Sequence, residues 1–464
     1  MGEAVDINKG YNHITVDVKI LSDDSLVTSL GDKLKNLSPL PTECSISRVP
    51  VHLRERNEKA FTPREISIGP LHHNNDNLKH MHPHKLRLLK HFLSRAKLSL
   101  HDCVQLLKMK EVYLRNCYAD PIEFDSDRFT EIILVDSAFI LELFFRNISS
   151  DDNNNQLQDP YDHFFGGPRK LRFIKTDMLL LENQVPFFII EDLLSLTKSD
   201  IIPIKNDVRR SAIMLTYEFF KWKLNLLDMD NFNIEEKVGE LQIQHFVDFA
   251  RICYVPREFP CKNKLKCMSM PRATKLHEAG VKFKVMNKGN PFDIRFKDGV
   301  LEISRLRLKD ATEILLRNLI AYERCHLHDN YVNDYVFILD RLIETAGDVE
   351  LLMHYGIIES KLSGTQEVAS TINRLSPGTT MARRRFYFSD LWENVNDYYR
   401  VPWHKWRVTL KEDYFKNPWA IISVTAAVVL LLLTIVQTFY TVISFFFWSN
   451  LYSHILLSKL AKYV

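Results

Sequence analysis

Apolar residues return every three or four positions through much of the chain. From Lys85, the residues Leu86, Leu88, Leu89, Phe92, Leu93 and Ala96 set one face of an amphipathic helix against a core. Phe129, Ile132, Ile133, Ile140 and Leu143 set another. The same spacing runs through Ala311, Ile314, Leu315, Leu319 and Ile320, and again through Tyr335, Ile338, Leu339 and Leu342. Between Val281 and Ser304 the period drops to two. There VKFKV, FDIRF and VLEI alternate apolar and polar positions between turn signals, which predicts a small antiparallel sheet. Within TDMLLLENQVPFFIIEDLLSL, Pro186 interrupts a helix-like run, so a break is expected just before it, with Thr176 or Asp177 as a helix cap. The tract from Ser149 to Pro168 is rich in Asp, Asn and turn formers and reads as a surface loop.

The pattern closes on a different kind of segment. From Asn417 to Ser458 no Asp, Glu, Lys or Arg occurs, well beyond the ~20 residues that cross a bilayer. Trp419 at one end and Phe445, Phe446, Phe447 and Trp448 at the other suit the headgroup region. The expected organisation is an N-terminal arm over 1–43 and a large helical domain over 44–410 carrying the β insertion near 281–304. A transmembrane helix over 417–448 and a short tail over 449–464 follow. The fold class is therefore mainly α, with a small antiparallel β insertion and one C-terminal transmembrane helix.

Charge narrows the partners. With 61 Lys and Arg against 58 Asp and Glu, the net charge is +3. No field favours nucleic acid, and no nucleic-acid partner is expected. The start, MGEAVDINKG, lacks the basic and apolar regions of a secretory signal, and Asp6 stands where N-myristoylation wants Ser or Thr. Eight basic residues lie between Arg383 and Lys416, ahead of the span, against Lys459 and Lys462 behind it. That bias places the bulk in the cytosol, at the plasma membrane. Two glycan acceptor patterns, at Asn36 and Asn147, point outward instead. Seven scattered cysteines resemble reduced thiols more than a disulfide framework.

Chemistry leaves little local trace. The chain has no Gly-rich phosphate loop, no Gly-x-Ser-x-Gly elbow and no His-Glu-x-x-His helix, so no enzyme is expected and no cofactor is assigned. His72, His73, His80, His82 and His84 crowd into thirteen positions. Without cysteines or a second cluster they read as a solvated turn, with a metal site as the alternative. Cys261 and Cys267, in a basic run, read as free thiols, and the lysines around them as a solvated loop or a surface for anionic lipid. His245 and Asp248, three apart on one helix face, read as a structural hydrogen-bonded pair, with a catalytic orienting pair as the alternative. In the apolar segment, Ser and Thr hydroxyls either form a polar face or bond their own backbone. The amide of Gln437 seeks a neighbouring helix.

Several stretches taken together resemble the plant DUF247 family, also called UPF0481. They are CSISRVPVHLRERNEKAFTPREISIGPLHH from Cys44, Lys85 to Phe92, CYAD from Cys117, EIILVDSAFILELFF from Glu131, DMLLLENQVPFFII from Asp177 and GVKFK from Gly280. NLIAYERC from Asn318, DYVFILDRLIETAGDVELLMHYGII from Asp334 and YFKNPWAIIS from Tyr414 complete the series, which covers roughly Cys44 to Thr441. Ser137 stands where the family usually has Gly, and His82 where it usually has Glu. The resemblance implies a membrane-anchored plant protein of undefined activity with a role in recognition. Some similar proteins in grasses act as pollen-side determinants of self-incompatibility. No catalytic residues carry over.

Within the motif, Leu181, Val185, Pro186, Phe187 and Phe188 are expected in the core. Glu182, Asn183 and Gln184, set between apolar blocks, are expected to form a structural hydrogen-bonding hub. The leading expectation is a non-enzymatic protein tethered in the lipid bilayer and binding a protein partner. The alternatives are a pore-forming homo-oligomer and an enzyme whose site is assembled from distant residues.

Overall fold

A computed structural model describes residues 25–35, 44–149, 168–197, 208–225, 233–256, 269–286, 289–327, 329–376, 386–402 and 418–460. Asp6, the Asn36 acceptor, the interior of the Ser149–Pro168 tract, Cys261, Cys267 and the basic residues before the span other than Arg400 lie outside them. The chain divides into two units, Met1–Glu43 and Cys44–Val464. In the first, Ser25–Lys35 forms helix α1. Leu26, Leu30 and Leu34 lie along one exposed stripe. Three turns hold this stripe, too few to register as a sustained period, so the expected arm contains a helix that the pattern did not announce.

The second unit opens with a mostly irregular strap, Cys44–His73, broken by the one-turn α2 (Val51–Arg54). Then come α3 (His82–Ala96), α4 (Leu100–Asn116), α5 (Ser126–Ser149), α6 (Pro168–Asp177), α7 (Phe187–Ser195), α8 (Val208–Phe220), α9 (Ile234–Val238), α10 (Phe246–Tyr254) and α11 (Ala273–Glu278). Strands β1 (Lys282–Met286), β2 (Ile294–Lys297), β3 (Val300–Ser304) and β4 (Leu306–Leu308) lead into α12 (Asp310–His326), α13 (Tyr331–Leu342) and α14 (Ala346–His354). Strand β5 (Ile358–Ser360), α15 (Thr365–Leu375), α16 (Ser389–Arg400) and α17 (Pro418–Leu460) complete the order. The protein is mainly helical, and α3, α5, α12 and α13 fall where the apolar spacing places them.

Helix α5 is the pillar of the core. From Ile132 to Phe145 every side chain is buried, the signature of a helix enclosed on all sides. It packs against α3, α4, α7 and α8. The Phe144 ring meets Phe219 at 4.9 Å and Phe246 at 6.0 Å. Two buried carboxylates tie it to α3: Asp136 accepts from Lys85, and Glu142 accepts from Arg95 through two N–H groups at 3.0 Å.

The β insertion forms a three-stranded sheet ordered β1-β3-β2. The hairpin β2–β3 is antiparallel, as the alternating pattern predicts, but β1 joins β3 in parallel. Pairing is a long-range choice that alternation does not encode. Phe283, Leu301 and Phe296 align in one row, and Lys284, Glu302 and Arg295 in the next. One face therefore packs while the other carries a charge ladder. Asp298 and Gly299, with φ of 51° and 77°, make the two-residue turn that a tight hairpin requires. Gly299 is constrained twice, because a Cβ there would sit 2.7 Å from the Tyr398 hydroxyl of α16. A further parallel pair, β4 with β5, has no local sequence signal.

Pro418 opens α17, where its missing N–H costs nothing. No Gly or Pro follows it, and the helix runs on to Leu460 through most of the tail expected after Trp448. Within it, Ile421–Leu451 is long and apolar enough to cross a membrane.

Ser137, the departure from Gly on α5, is fully buried, and among the described residues its hydroxyl has no hydrogen-bond partner. An unpaired buried hydroxyl costs roughly 1–3 kcal/mol. We expect Ser137→Ala to stabilise the chain by about 1–2 kcal/mol, since it also improves helix propensity. Denaturant unfolding checks this, and an unchanged or lower midpoint would mean that the hydroxyl is paired.

Candidate functional site

The strap Cys44–His73 pairs part of its backbone in short turns such as α2, and the remaining groups must be paired from elsewhere. Side chains supply many of those bonds. Asp177, the last residue of α6, accepts amide N–H groups from Arg64, Glu65 and Ile66 at 3.0, 2.7 and 3.0 Å. Asp136 on α5 accepts from the Gly69 amide at 2.8 Å. Asn318 on α12 donates to the Ala60 carbonyl at 2.8 Å. The His245 ring meets the Ser45 carbonyl at 3.0 Å.

The loop between α6 and α7 carries Glu182, Asn183 and Gln184, all fully buried. Glu182 accepts from the Val49 amide at 2.6 Å and from Arg54, and His72 Nε2 lies 3.2 Å from its other oxygen. Burial pushes this carboxyl up, but the nearby His72 ring and the bonds from Val49 and Arg54 outweigh it and hold the group below the usual range. Asn183 pairs with the strap as another strand would. Its Oδ1 accepts from Ile68 N at 2.6 Å and its Nδ2 donates to the Ile66 carbonyl at 3.0 Å.

Gln184 turns the other way. Its Nε2 donates to the carbonyls of Met178 and Leu180 at 2.7 Å, while its Oε1 accepts from Phe246 N at 2.9 Å. Its own carbonyl oxygen would lie 2.2 Å from a Cβ at Gly69, which has φ of 74°. Only glycine lets strap and loop approach so closely.

The break expected before Pro186 is therefore a whole loop, Met178–Pro186. Thr176 and Asp177 end α6 rather than capping a following helix, because side chains of this loop satisfy the backbone groups that a helix would pair. Thr176 Oγ1 donates to Arg172 O at 2.8 Å. Burial pushes Asp177 up to about 6, against the pull of the Glu65, Ile66 and Arg64 amides.

His245 and Asp248 are not side by side on a helix face. His245 is the N-cap of α10: its Nδ1 accepts from Asp248 N at 3.2 Å, and Asp248 accepts from Gln244 N at 2.9 Å. The ring closes the first turn of α10, and the carboxylate holds the residue that precedes the cap. Burial drives the imidazole down to about 3.

The five clustered histidines turn to different neighbours. His72 faces Glu182, His73 meets Arg128 at 2.8 Å, and His80 meets the Asn77 carbonyl at 2.9 Å. His82 lies edge-on to His73 at 6.3 Å, and His84 meets Arg87 at 3.3 Å. Among the described residues no group of three or more His, Cys, Asp or Glu is placed to hold a metal. In α17 the hydroxyls of Ser423, Thr425, Thr434, Thr438, Thr441 and Ser444 donate to carbonyls four residues back. Gln437 is left as the amide near the midpoint of Ile421–Leu451.

One feature escaped the sequence. A cavity of about 1040 Å³ lies beside the loop, walled by α6, the turn after α8, β4 and the start of α12. Thr176 and Asp177 at the end of α6 and Leu180 in the loop belong to the cavity wall. Its basic side chains come from separate short stretches, each of which alone looks like a solvated surface.

The DUF247 model, described as a plant protein of unknown function, matches residues 46–433. A UPF0481 protein of Arabidopsis thaliana is 26% identical over 431 residues, covering 87% of this chain and 87% of its own length. Another UPF0481 protein of that plant is 25% identical over 492 residues, covering 87% of this chain and 91% of its own length. No solved structure matches the chain.

Two expectations follow from the geometry. Asn183→Leu strips partners from the buried Ile68 N–H and Ile66 carbonyl, so it should cost about 3–5 kcal/mol at ~1–3 kcal/mol per orphaned group. Denaturant unfolding reads this, and a loss under about 1 kcal/mol would show that the strap is held without it. The second concerns acid. Above about pH 6.5 His245 is neutral in the folded and unfolded chain alike. Below that only the unfolded chain takes the proton, down to about 3. This residue therefore makes the chain lose stability as pH falls, by up to about 1.4 kcal/mol per pH unit. His245→Asn keeps a cap acceptor and lacks that slope. Its stability deficit against wild type should narrow from about pH 7 to about pH 4; a constant deficit would remove the titration from the account.

Proposed function

Because the chain belongs to the DUF247 family, plant proteins of unknown function, no activity passes to it from its relatives, and we propose that it is a non-enzymatic recognition module tethered to the plasma membrane by α17. The observation that carries this reading is Ile421–Leu451, 31 residues of which none is buried. Leucines 430 to 433 and the Phe445–Phe447 run are more than half exposed. So large an apolar surface needs a partner, and lipid hides it at ~25 cal/mol per Å². At ~1.5 Å per residue the stretch is about 46 Å long. That exceeds the ~30 Å of hydrocarbon, so tilt or an interfacial end accommodates the excess. The backward hydroxyl bonds support the same reading, since they leave those groups satisfied in lipid.

A non-enzymatic role is supported by how the motif residues are used. Their carboxylates and amides hold backbone rather than meeting at an open surface. A protein partner is supported by Met109, Val112 and Tyr113, an exposed apolar stripe on α4. The basic excess before the span supports a cytosolic body. Gln437, near mid-span, favours a second reading in which α17 associates with other copies of itself.

Alkaline carbonate extraction of membranes tests the tether. The full chain should stay in the pellet, and a chain ending at Pro402 should leave it; a full chain released by carbonate would sink the proposal. On sealed plasma-membrane vesicles, a tag before Met1 should be cleaved only when the cytosolic face is exposed to protease. Cleavage from outside would put the body on the surface. Cross-linking should give a ladder that Gln437→Leu removes, and a current in planar bilayers would move the second reading towards a pore.

A further inference from the structure

The cavity beside the hub gathers positive charge that the chain as a whole does not have. Among the described residues, ten that line it are Lys or Arg and three are Asp or Glu, in a protein with a net charge of +3. Each of the three acidic residues also serves the fold. Asp177 holds the strap amides. Glu313 accepts from Arg317 at 2.9 Å and Asn57 at 3.0 Å. Asp310 begins α12, where a carboxylate complements the helix dipole.

The cations sit close enough to disturb one another. Burial, then the fields of Lys309, Arg172 and Lys175, push Lys223 down to about 8 against the opposing pull of Asp177. Burial takes Lys175 to about 8 as well. Lys309 is lowered by burial and then by Lys361 and Arg307. Arg307 is met by Glu359 at 2.8 Å. Lys223 and Lys309 are met by neutral oxygens, Thr176 Oγ1 and Asn225 Oδ1, the latter at 2.9 Å, which orient an ammonium without cancelling its charge. Crowded, partly desolvated cations of this kind repel one another, and an anion carrying several charges relieves that repulsion.

The rest of the wall fixes what kind of anion. Leu180, Leu224, Tyr254, Phe292 and Leu315 give an apolar floor, and the Trp222 ring stands 71% exposed at the mouth. Arg and Lys together suit phosphate, Arg by its planar fork and Lys as a point charge. A carbon skeleton would face the apolar side. The volume holds a molecule of ordinary ligand size.

We propose that this cavity binds a multiply phosphorylated small molecule, either free or as the headgroup of a membrane lipid. The inference stands on the cavity alone and does not require that α17 cross a membrane.

Calorimetric titration of inorganic tripolyphosphate into the full chain in detergent micelles tests it. Saturable binding is expected. Lys223→Met with Lys309→Met should weaken it by about tenfold or more, the loss of at least one charged hydrogen bond. Should that double variant fail to fold, Lys361→Gln, an exposed change, should still weaken binding roughly threefold. Absence of saturable binding to the wild-type chain, or unchanged affinity in the variants that fold, overturns the proposal. Repeating the titration in phosphatidylcholine nanodiscs with and without phosphatidylinositol bisphosphate separates the two sources. Tripolyphosphate excluded only by the phosphoinositide identifies a headgroup site, and equal binding in both identifies a free ligand.

Discussion

A buried backbone group must find a partner, and in this protein that rule bears hardest on thirty residues that are mostly irregular. The strap Cys44–His73 runs through a helical body, yet its amides and carbonyls cannot all reach water. Asp136, Asp177, Glu182, Asn183, His245 and Asn318 stand in for the missing ladder. Polar side chains placed deep among apolar ones would be a liability in an ordinary core. Here they are the means by which α5, α6, α10 and α12 are held to one another through a common intermediary. Removing one partner leaves a desolvated group behind, so the network is worth more intact than its pairs taken singly.

Two kinds of charge meet at the end of α6. Asp177 is tied inward to the strap amides, while Lys223 and its neighbours face a cavity whose described lining holds more cations than carboxylates. The first arrangement is closed: its donors and acceptors answer each other. The second is open, held at some electrostatic cost. A fold keeps such a cost where something outside the chain can relieve it, whereas a purely structural site would be expected to neutralise its own charges.

What could be read from the chain follows the range of each interaction. Helices α3, α5, α12 and α13 announce themselves, because a helix face is written within a dozen residues. The Asp298–Gly299 turn is legible for the same reason, since two positive φ angles select for those residues. The parallel pairing of β1 with β3, and of β4 with β5, depends on what lies across a gap in sequence, and alternation says nothing of it. Pro186 correctly marks a break, but the run before it looks helical. The apolar spacing of Met178, Leu179, Leu180 and Leu181 cannot show that Asn183 and Gln184 will take the place of helix bonds. The polarity of Glu182, Asn183 and Gln184 between apolar blocks points to a hub, though not to the strap as its object. The cavity is invisible for a simpler reason: Arg172, Lys223, Lys309 and Lys361 come from four stretches that only the fold brings together.

The reach of the strap's bonds also sets a timetable for synthesis. Ile68 waits 115 residues for Asn183, and Ala60 waits 258 for Asn318. At ~5–20 residues per second a ribosome needs about 13–50 s to supply that last partner. For that interval the strap is made but cannot be seated, with Ile46, Phe61, Ile66 and Ile68 lacking the burial they later have. The strap must stay unstuck for that interval, so a segment made early is among the last to settle.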